Sequence, residues 1–376
     1  MMTSRTKRWI RVVGFACVGL CIVVFIGSFL FLRSPAFGSL PDQAHAARIQ
    51  QSPNYRDGQF QNQRNTPIMA TDKSRLTSIW EFLTIDVPDL IPRRDIPVIK
   101  TDFNDLPLDK DLLVWLGHSS LYAHLHGQRI LVDPVLVSAS PLSFINQTFP
   151  GTSLYRPEDI PPIDVLLITH DHWDHLDYET MILIKDRVRK VVCPLGVGAH
   201  LASWGFSIAK IHELDWYQHC TINDTMQLTA LPARHFSGRG LTANQTLWSG
   251  FMVQGPFGNI LLSGDTGYDT HFQEIKRRFG TIDLAILENG QYHEDWRYIH
   301  MMPDDLIQAI EELSPKNVLT VHHSKYALAR HPWYEPMEKV VQASKNNNFQ
   351  LMTPKIGEVV FLADSTQTFS PWWQHD

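Results

Sequence analysis

Cysteine is scarce in this chain of 376 residues. Only four occur, which excludes a disulfide-built scaffold and a Cys-rich zinc module. Charged residues are also sparse, at 19%, with 33 Lys plus Arg against 39 Asp plus Glu and a formal net charge of -6. A protein that grips nucleic acid by neutralising phosphates is normally basic, so nucleic acid is not expected as a partner. No internal repeat is visible. Apolar residues make up 44% of the chain, enough to bury a core and to exclude wholesale disorder. Histidine is what the chain has in excess. There are 18, and several lie close together.

Long apolar runs are absent apart from one. Residues 12–32 read VVGFACVGLCIVVFIGSFLFL without a charge, and a helix of that length, at ~1.5 Å per residue, spans a ~30 Å hydrocarbon layer. Arg5, Lys7, Arg8 and Arg11 precede it, and only Arg33 follows closely. The positive-inside rule makes residues 1–11 a cytoplasmic basic segment and 12–32 a single transmembrane anchor. The remainder then lies on the extracytoplasmic (periplasmic) side. The alternative is a cleaved signal peptide cut near Ser34-Pro35-Ala36, although its apolar stretch is usually only ~7–15 residues. Cys17 and Cys21 fall in the run. Cys193 and Cys220 lie in the body, where two inert thiols are expected, with a disulfide as the alternative.

Residues 33–107 are rich in Gln, Asn, Arg and Pro and read as a polar tether and N-terminal extension that can wrap the domain, with a short helical pattern in 76–90. Residues 108–365 have the composition of one continuous α/β body, and 366–376 form a C-terminal tail. Within the body, short apolar runs at 112–116, 129–132, 165–169, 190–192, 259–262, 284–287 and 317–321 read as buried strands. The residues at their exits carry the chemistry. Residues 165–169 open into His170-Asp171-His172-Trp173-Asp174-His175, and 259–262 open into Ser263-Gly264-Asp265. Residues 317–321 open into His322-His323, and a run at 227–231 leads to Pro232-Ala233-Arg234-His235. Ligands on strand-exit loops converge on one cleft while resting on a rigid scaffold. Residues two apart in a loop can face one side, so His170 and His172 suit one metal, and Asp174 and His175 suit a second. His235 and Asp265 are candidates to complete the pair. Imidazole and carboxylate donors favour zinc, and a two-metal site activates water and polarises the bond attacked.

THDHWDH, the downstream His, the Gly-Asp after a strand and the late strand-terminal His together resemble the metallo-β-lactamase superfamily. That resemblance implies a four-layer αββα sandwich and two Zn2+ per chain. His170, His172 and His235 would hold the first metal, and Asp174, His175 and His322 the second, with Asp265 between them. It also implies that Asp133 supports a ligand imidazole. Strand alternation places His322 and His323 on opposite faces, so only one can complete the site, and His322 is the expected one.

A narrower resemblance rests on WLGHSSLYAHLHGQRILVDP, SGDTGYD, Phe279-Gly280 with Asp283-Leu284, Tyr298-x-His300 and VHHSKYALA. These are similar to the N-acylphosphatidylethanolamine-hydrolysing phospholipases D and their bacterial relatives. The resemblance implies a phosphodiesterase that cleaves such a lipid to phosphatidic acid and an N-acylethanolamine. His323 and Ser324-Lys325 depart from that family's Trp and Gly-Thr, which leaves the headgroup open. His300 is a candidate for substrate orientation or general acid beside Asp174 and Asp265, with a helix-capping role as the alternative. His118 either lines the site or is a hydrogen-bonded structural histidine. Asp171 and Trp173 are expected to support and pack. The expected partners are a phospholipid or other phosphodiester and the membrane, and a homodimer stays open. Two rival readings remain: a soluble lactone or phosphodiester as substrate, or a metal-stabilised binding module without turnover.

Overall fold

The computed structural model describes residues 4–345, 347 and 349–374. The chain starts with helix α1 (Ser4–Leu32), which is long and apolar enough to cross a membrane. Its large side chains, such as Phe15, Val23 and Phe25, are exposed. It begins before the uncharged run because helix-favouring Arg and Lys residues extend the same turn pattern. Helix α2 (Gln43–Ile49), a ribbon of β1 (Tyr55–Arg56) and β2 (Gln59–Phe60), and α3 (Arg75–Thr84) come next. These lie in the stretch read as a tether, but Ile49 and Phe60 are buried with Leu195, Trp216 and Trp248 of the body. The extension is therefore docked on the domain. A tether that wraps the domain was among the readings of this stretch, and few large apolar anchors suffice to fasten a polar strap.

The first seven-stranded sheet contains β3 (Leu112–Trp115), β4 (Leu121–Leu125), β5 (Gln128–Val132), β6 (Ile163–Leu167), β7 (Val188–Pro194) and β8 (Ile211–Leu214). The second contains β9 (His219–Asn223), β10 (Met226–Leu231), β11 (Gly250–Gly255), β12 (Gly258–Leu262), β13 (Leu284–Glu288), β14 (Asn317–Val321) and β15 (Gln350–Met352). The last strand, β16 (Val359–Phe361), returns to the edge of the first sheet and pairs antiparallel with β3. Strand orders are β16-β3-β4-β5-β6-β7-β8 and β15-β14-β13-β12-β11-β10-β9. Each sheet starts as an antiparallel meander and continues in parallel, from β5 through β8 and from β12 through β15.

The alternation of side chains explains the layering. In β13, Leu284 and Ile286 enter the core between the sheets, with Val165, Leu167, Phe251 and Val321. Ala285 and Leu287 face the other way, onto α6 (His271–Phe279) and α7 (Pro303–Leu313) through Phe272, Ile275, Leu306 and Ile310. The first sheet likewise turns Leu166 and Val191 toward Met181 of α4 (Tyr178–Ile184) and Leu201 of α5 (Val197–Ser203). Helix α8 (Glu335–Ser344) completes the outer layer on the second sheet through Val340. Each fully buried Leu or Ile contributes about 2 kcal/mol. The expected αββα sandwich is the fold. The C-terminal segment differs from a free tail: Trp372 and Trp373 are buried in the inter-sheet core, and the Trp372 indole N–H donates to Thr353 O at 3.1 Å.

Candidate dinuclear metal site

Strands β6, β10, β12, β13 and β14 all end at one edge of the sandwich, and each releases a polar residue there. Three of the histidines named from the sequence meet as ring nitrogens. His170 Nε2 lies 2.9 Å and His235 Nε2 3.1 Å from His172 Nδ1. A second cluster gathers Asp174, His175 and His322. Asp265 Oδ2 stands between the two. It is 3.2 Å from His175 Nε2 and 3.1 Å from His322 Nε2, and 3.9 Å from both His170 Nε2 and His235 Nε2. Asp174 Oδ2 is 3.4 Å from His322 Nε2.

The surrounding hydrogen bonds fix which nitrogens face inward. Asp133 Oδ1 accepts the Thr169 N–H at 2.8 Å, and Asp133 Oδ2 accepts the Thr169 hydroxyl at 2.6 Å. That hydroxyl oxygen is left to accept from His170 Nδ1 at 3.0 Å, which turns a bare Nε2 inward. Asp133 Oδ2 also accepts His175 Nδ1–H at 2.9 Å. His235 Nδ1 donates to Ile299 O at 2.9 Å, so its Nε2 is bare as well. Asp133 therefore supports ligand-type imidazoles on both sides of the site. Its own φ of +40°, with +52° at His118 and +68° at His322, puts three site residues in the left-handed region that side chains disfavour. Such strain collects at functional sites.

These residues fit a divalent metal pair. The bare Nε2 atoms of His170 and His235 both converge on His172 Nδ1, which has at most one proton to donate, so at least one lone pair faces the cluster ready for a Lewis acid. Asp265 Oδ1 is buried without a hydrogen-bond partner among the described residues. The electrostatics agree. Burial would depress His175 and His322, but the Asp265 and Asp174 carboxylates outweigh it, lifting His175 well above its ordinary value and His322 to about 10. Such a cluster of buried carboxylates calls for cations, and protons compete with metals for it. His170 and His235 are held well below the usual histidine range by burial and by neighbouring imidazoles, which keeps them neutral for ligation.

Three histidines take other positions. His118 is fully buried, and its Nε2 donates to Asp174 Oδ2 at 2.9 Å. Burial and the nearby His322 lower it to about 3, so it is a neutral donor that orients the carboxylate. His323 turns away onto the Trp115 ring, 4.9 Å between centroids, and bonds Ser324 Oγ at 2.8 Å. His300 does not cap α7, whose N-cap is Met302. Its Nδ1 lies 2.7 Å from Glu288 Oε2, and its ring stands 5.1 Å from both His235 and His322. Asp171 accepts the Gly238 N–H at 2.7 Å and the Thr246 hydroxyl at 2.8 Å, in keeping with a supporting role.

Two residues at the site escaped the sequence reading. Glu288 ends β13, orients His300, and accepts the Met301 N–H at 2.9 Å. A carboxylate at a buried strand exit was the available signal, the same one that marks Asp265. Asn62, from the extension, brackets His235: its Nδ2 donates to His235 O at 2.7 Å and its Oδ1 accepts His235 N–H at 3.1 Å. Nothing in a run of Gln and Asn distinguishes it. Cys193 and Cys220 are free thiols, the first buried and the second half-buried.

Fold and site together define a metallo-β-lactamase-type hydrolase, and the comparisons agree. Residues 128–323 match the model of the β-lactamase superfamily domain, and the chain belongs to that family of metal-dependent hydrolases. An uncharacterised Mycobacterium tuberculosis protein is 34% identical over 333 residues, covering 86% of this chain and 88% of its own. The N-acyl-phosphatidylethanolamine-hydrolyzing phospholipase D 1 of Caenorhabditis elegans is 29% identical over 264 residues, which is 65% of this chain and 73% of that one. Among solved structures, a metallo hydrolase from Ignicoccus hospitalis superposes with a TM-score of 0.53. Its identity is 19%, and the match covers 67% of this chain and 97% of the other.

Proposed function

We propose that the protein is a membrane-anchored dizinc phosphodiesterase of the phospholipase D type, acting on N-acylphosphatidylethanolamine-like lipids. The observation that carries this reading is the pair of adjoining clusters that share Asp265. His170, His172 and His235 would hold one Zn2+, and Asp174, His175 and His322 the other. Bound there, the pair would lower the pKa of water and offset charge on a phosphodiester. The chain's own residues do the rest. Asp133, His118 and Asn62 hold the ligand side chains in register. Glu288 accepts from His300 Nδ1, so when the ring carries a proton on each nitrogen its Nε2–H could donate to a phosphoryl oxygen or pass that proton to the leaving alkoxide. The Caenorhabditis elegans phospholipase relative supports the substrate class, and α1 supports confinement to a bilayer, with the body on the periplasmic side by its basic flank.

A second reading keeps the metals and makes the substrate a soluble phosphodiester or lactone. It is favoured by a polar cavity of about 480 Å³ lined by Arg56, Arg64, Asn62, Thr66 and Trp248, lying against His235 through Asn62. The test is hydrolysis by purified protein with zinc measured on the same sample. N-acylphosphatidylethanolamine in mixed micelles would be offered beside a bis-aryl phosphodiester and a lactone. Lipid cleavage at about two zinc ions per chain, lost in Asp265→Asn, is the expected result. Turnover of only the soluble compounds would transfer the proposal to the second reading. Two ions without turnover would count against both.

A further inference from the structure

The segment that leaves α1 does not hang free. Trp204 donates its indole N–H to Pro35 O at 2.7 Å. Arg239 donates to Ala36 O through Nη2 at 2.9 Å and Nε at 3.2 Å, while its Nη1 reaches Asp171 O at 2.9 Å and Leu176 O at 2.6 Å. One buried guanidinium thus ties the exit of the helix to both ends of the His-Asp-rich loop. Its plane also lies 3.9 Å over the Trp173 ring. Phe37 bridges the two regions edge-on, 5.1 Å from Trp173 and 5.2 Å from Phe31 of α1. Helix α1 ends at Leu32, so at most roughly 18 Å of chain separates it from Phe37. An aromatic path therefore runs from the apolar helix to a residue flanked by His172 and Asp174.

Exposed apolar side chains sit on segments tethered to that same edge. Leu241 is 88% exposed. Its loop is held to the ligand loop by Arg239 and by Gly238 N–H on Asp171. Phe144 is 68% exposed, in a loop fastened at the site by Asp133 at one end and by Phe149 N–H on Lys325 O at the other. Leu76 and Trp80 are 79% and 68% exposed on α3. That helix is fixed to the loop after β13 by the Ser78 hydroxyl on Asp295 at 3.1 Å. Scattered exposed apolar residues need no explanation, but a rim of them around a catalytic edge marks an interaction surface.

We infer that this rim is a bilayer-contacting face: the anchor's exit segment clamps the metal-ligand edge against the phospholipid surface, and substrate enters laterally from the leaflet. The inference rests on the membrane-anchor reading, because continuity with α1 is what selects a lipid bilayer over a protein partner. Trp and apolar residues at a rim suit the interface between headgroups and acyl chains.

The test uses the full chain in phosphatidylcholine–phosphatidylethanolamine discs, with Cys17, Cys21 and Cys220 replaced by Ala and a nitroxide placed at one site at a time. The sites are Leu20→Cys in α1, Leu241→Cys and Trp80→Cys on the rim, and Asp224→Cys at the β9–β10 turn on the opposite end. Collision with oxygen is compared with collision with a nickel chelate. Oxygen-dominated collisions at 20, 241 and 80 with nickel-dominated collisions at 224 are expected. Nickel-dominated collisions at 241 and 80 with position 20 still in lipid would overturn the inference and leave the anchor standing. A water-exposed position 20 would remove the anchor and the inference with it. Shielding of 241 and 80 from both reagents, with spin–spin coupling, would assign the rim to a second copy of the chain and overturn the bilayer contact.

Discussion

His322 and His323 are adjacent, chemically identical and both buried, and only direction separates them. Extending the strand alternation past Val321 predicts that the two part, and in the structure they part at His322, just past β14, where the backbone is left-handed with φ +68°. His322→Ala is expected to reduce bound zinc toward one ion per chain and to abolish hydrolysis. His323→Ala should keep two ions, since its ring packs on Trp115 and bonds Thr320 and Ser324, away from the cluster. Metal analysis of both variants decides it, and loss of zinc from His323→Ala would show the ligand misplaced. Lys325 was legible only as a departure from the phospholipase pattern. It lies buried beneath the site, its Nζ donating to Val135 O at 2.9 Å, and burial lowers it to about 8 from the usual 10.5. Between those values the unfolded chain binds more protons than the folded one, so this residue makes stability rise with pH, by up to about 1.4 kcal/mol per unit. The cost is fully present below pH 8 and is relieved as pH climbs toward 10.5. Urea denaturation at pH 7.5 and 9.5 should show that gain in the wild type and its loss in Lys325→Met. An equal gain in both would assign the slope to other groups.

Among the elements, the strands that carry ligands were legible because each is a short apolar run ending in a polar exit. The N-terminal extension was not. Its contacts are single side chains set in polar sequence, such as Phe60 in its pocket and Asn62 on His235, and no periodicity marks them. The same holds for residues 35–38, where backbone carbonyls of Pro35 and Ala36 make the bonds and side-chain identity says little. This segment makes a prediction for the soluble body. A chain starting at Ser39 should be less stable than one starting at Ser34 by about 1–3 kcal/mol. Arg239 then loses a hydrogen-bond acceptor while remaining buried, which is the costly arrangement. Denaturation midpoints of the two proteins measure the difference, and equal midpoints would mean that the clamp contributes nothing.

For the molecule as a whole, the alternation of each strand fixed its two faces, but the pairing of one sheet with the other was beyond reach of a single sequence. It depends on a core shared by residues far apart in sequence, such as Leu167 of the first sheet and Leu319 of the second, which no local pattern encodes. The metal site spans the same division. His170, His172, Asp174 and His175 leave the first sheet, whereas His235, Asp265 and His322 leave the second. Metals bound there would add a link between two sheets that already meet through their apolar core and through hydrogen bonds such as His322 N–H on His118 O, so part of the fold's stability should belong to the ions. A ligand that binds only the folded state at about 1,000 times its Kd adds about 4 kcal/mol, and the unfolded chain lacks the convergent donors. Chelation is therefore expected to lower the denaturation midpoint, and zinc should restore it to the wild type but not to Asp265→Asn. A midpoint indifferent to chelator, in protein from which zinc has demonstrably been removed, would mean that the chain's own contacts hold the sheets together and that the ions serve only the chemistry.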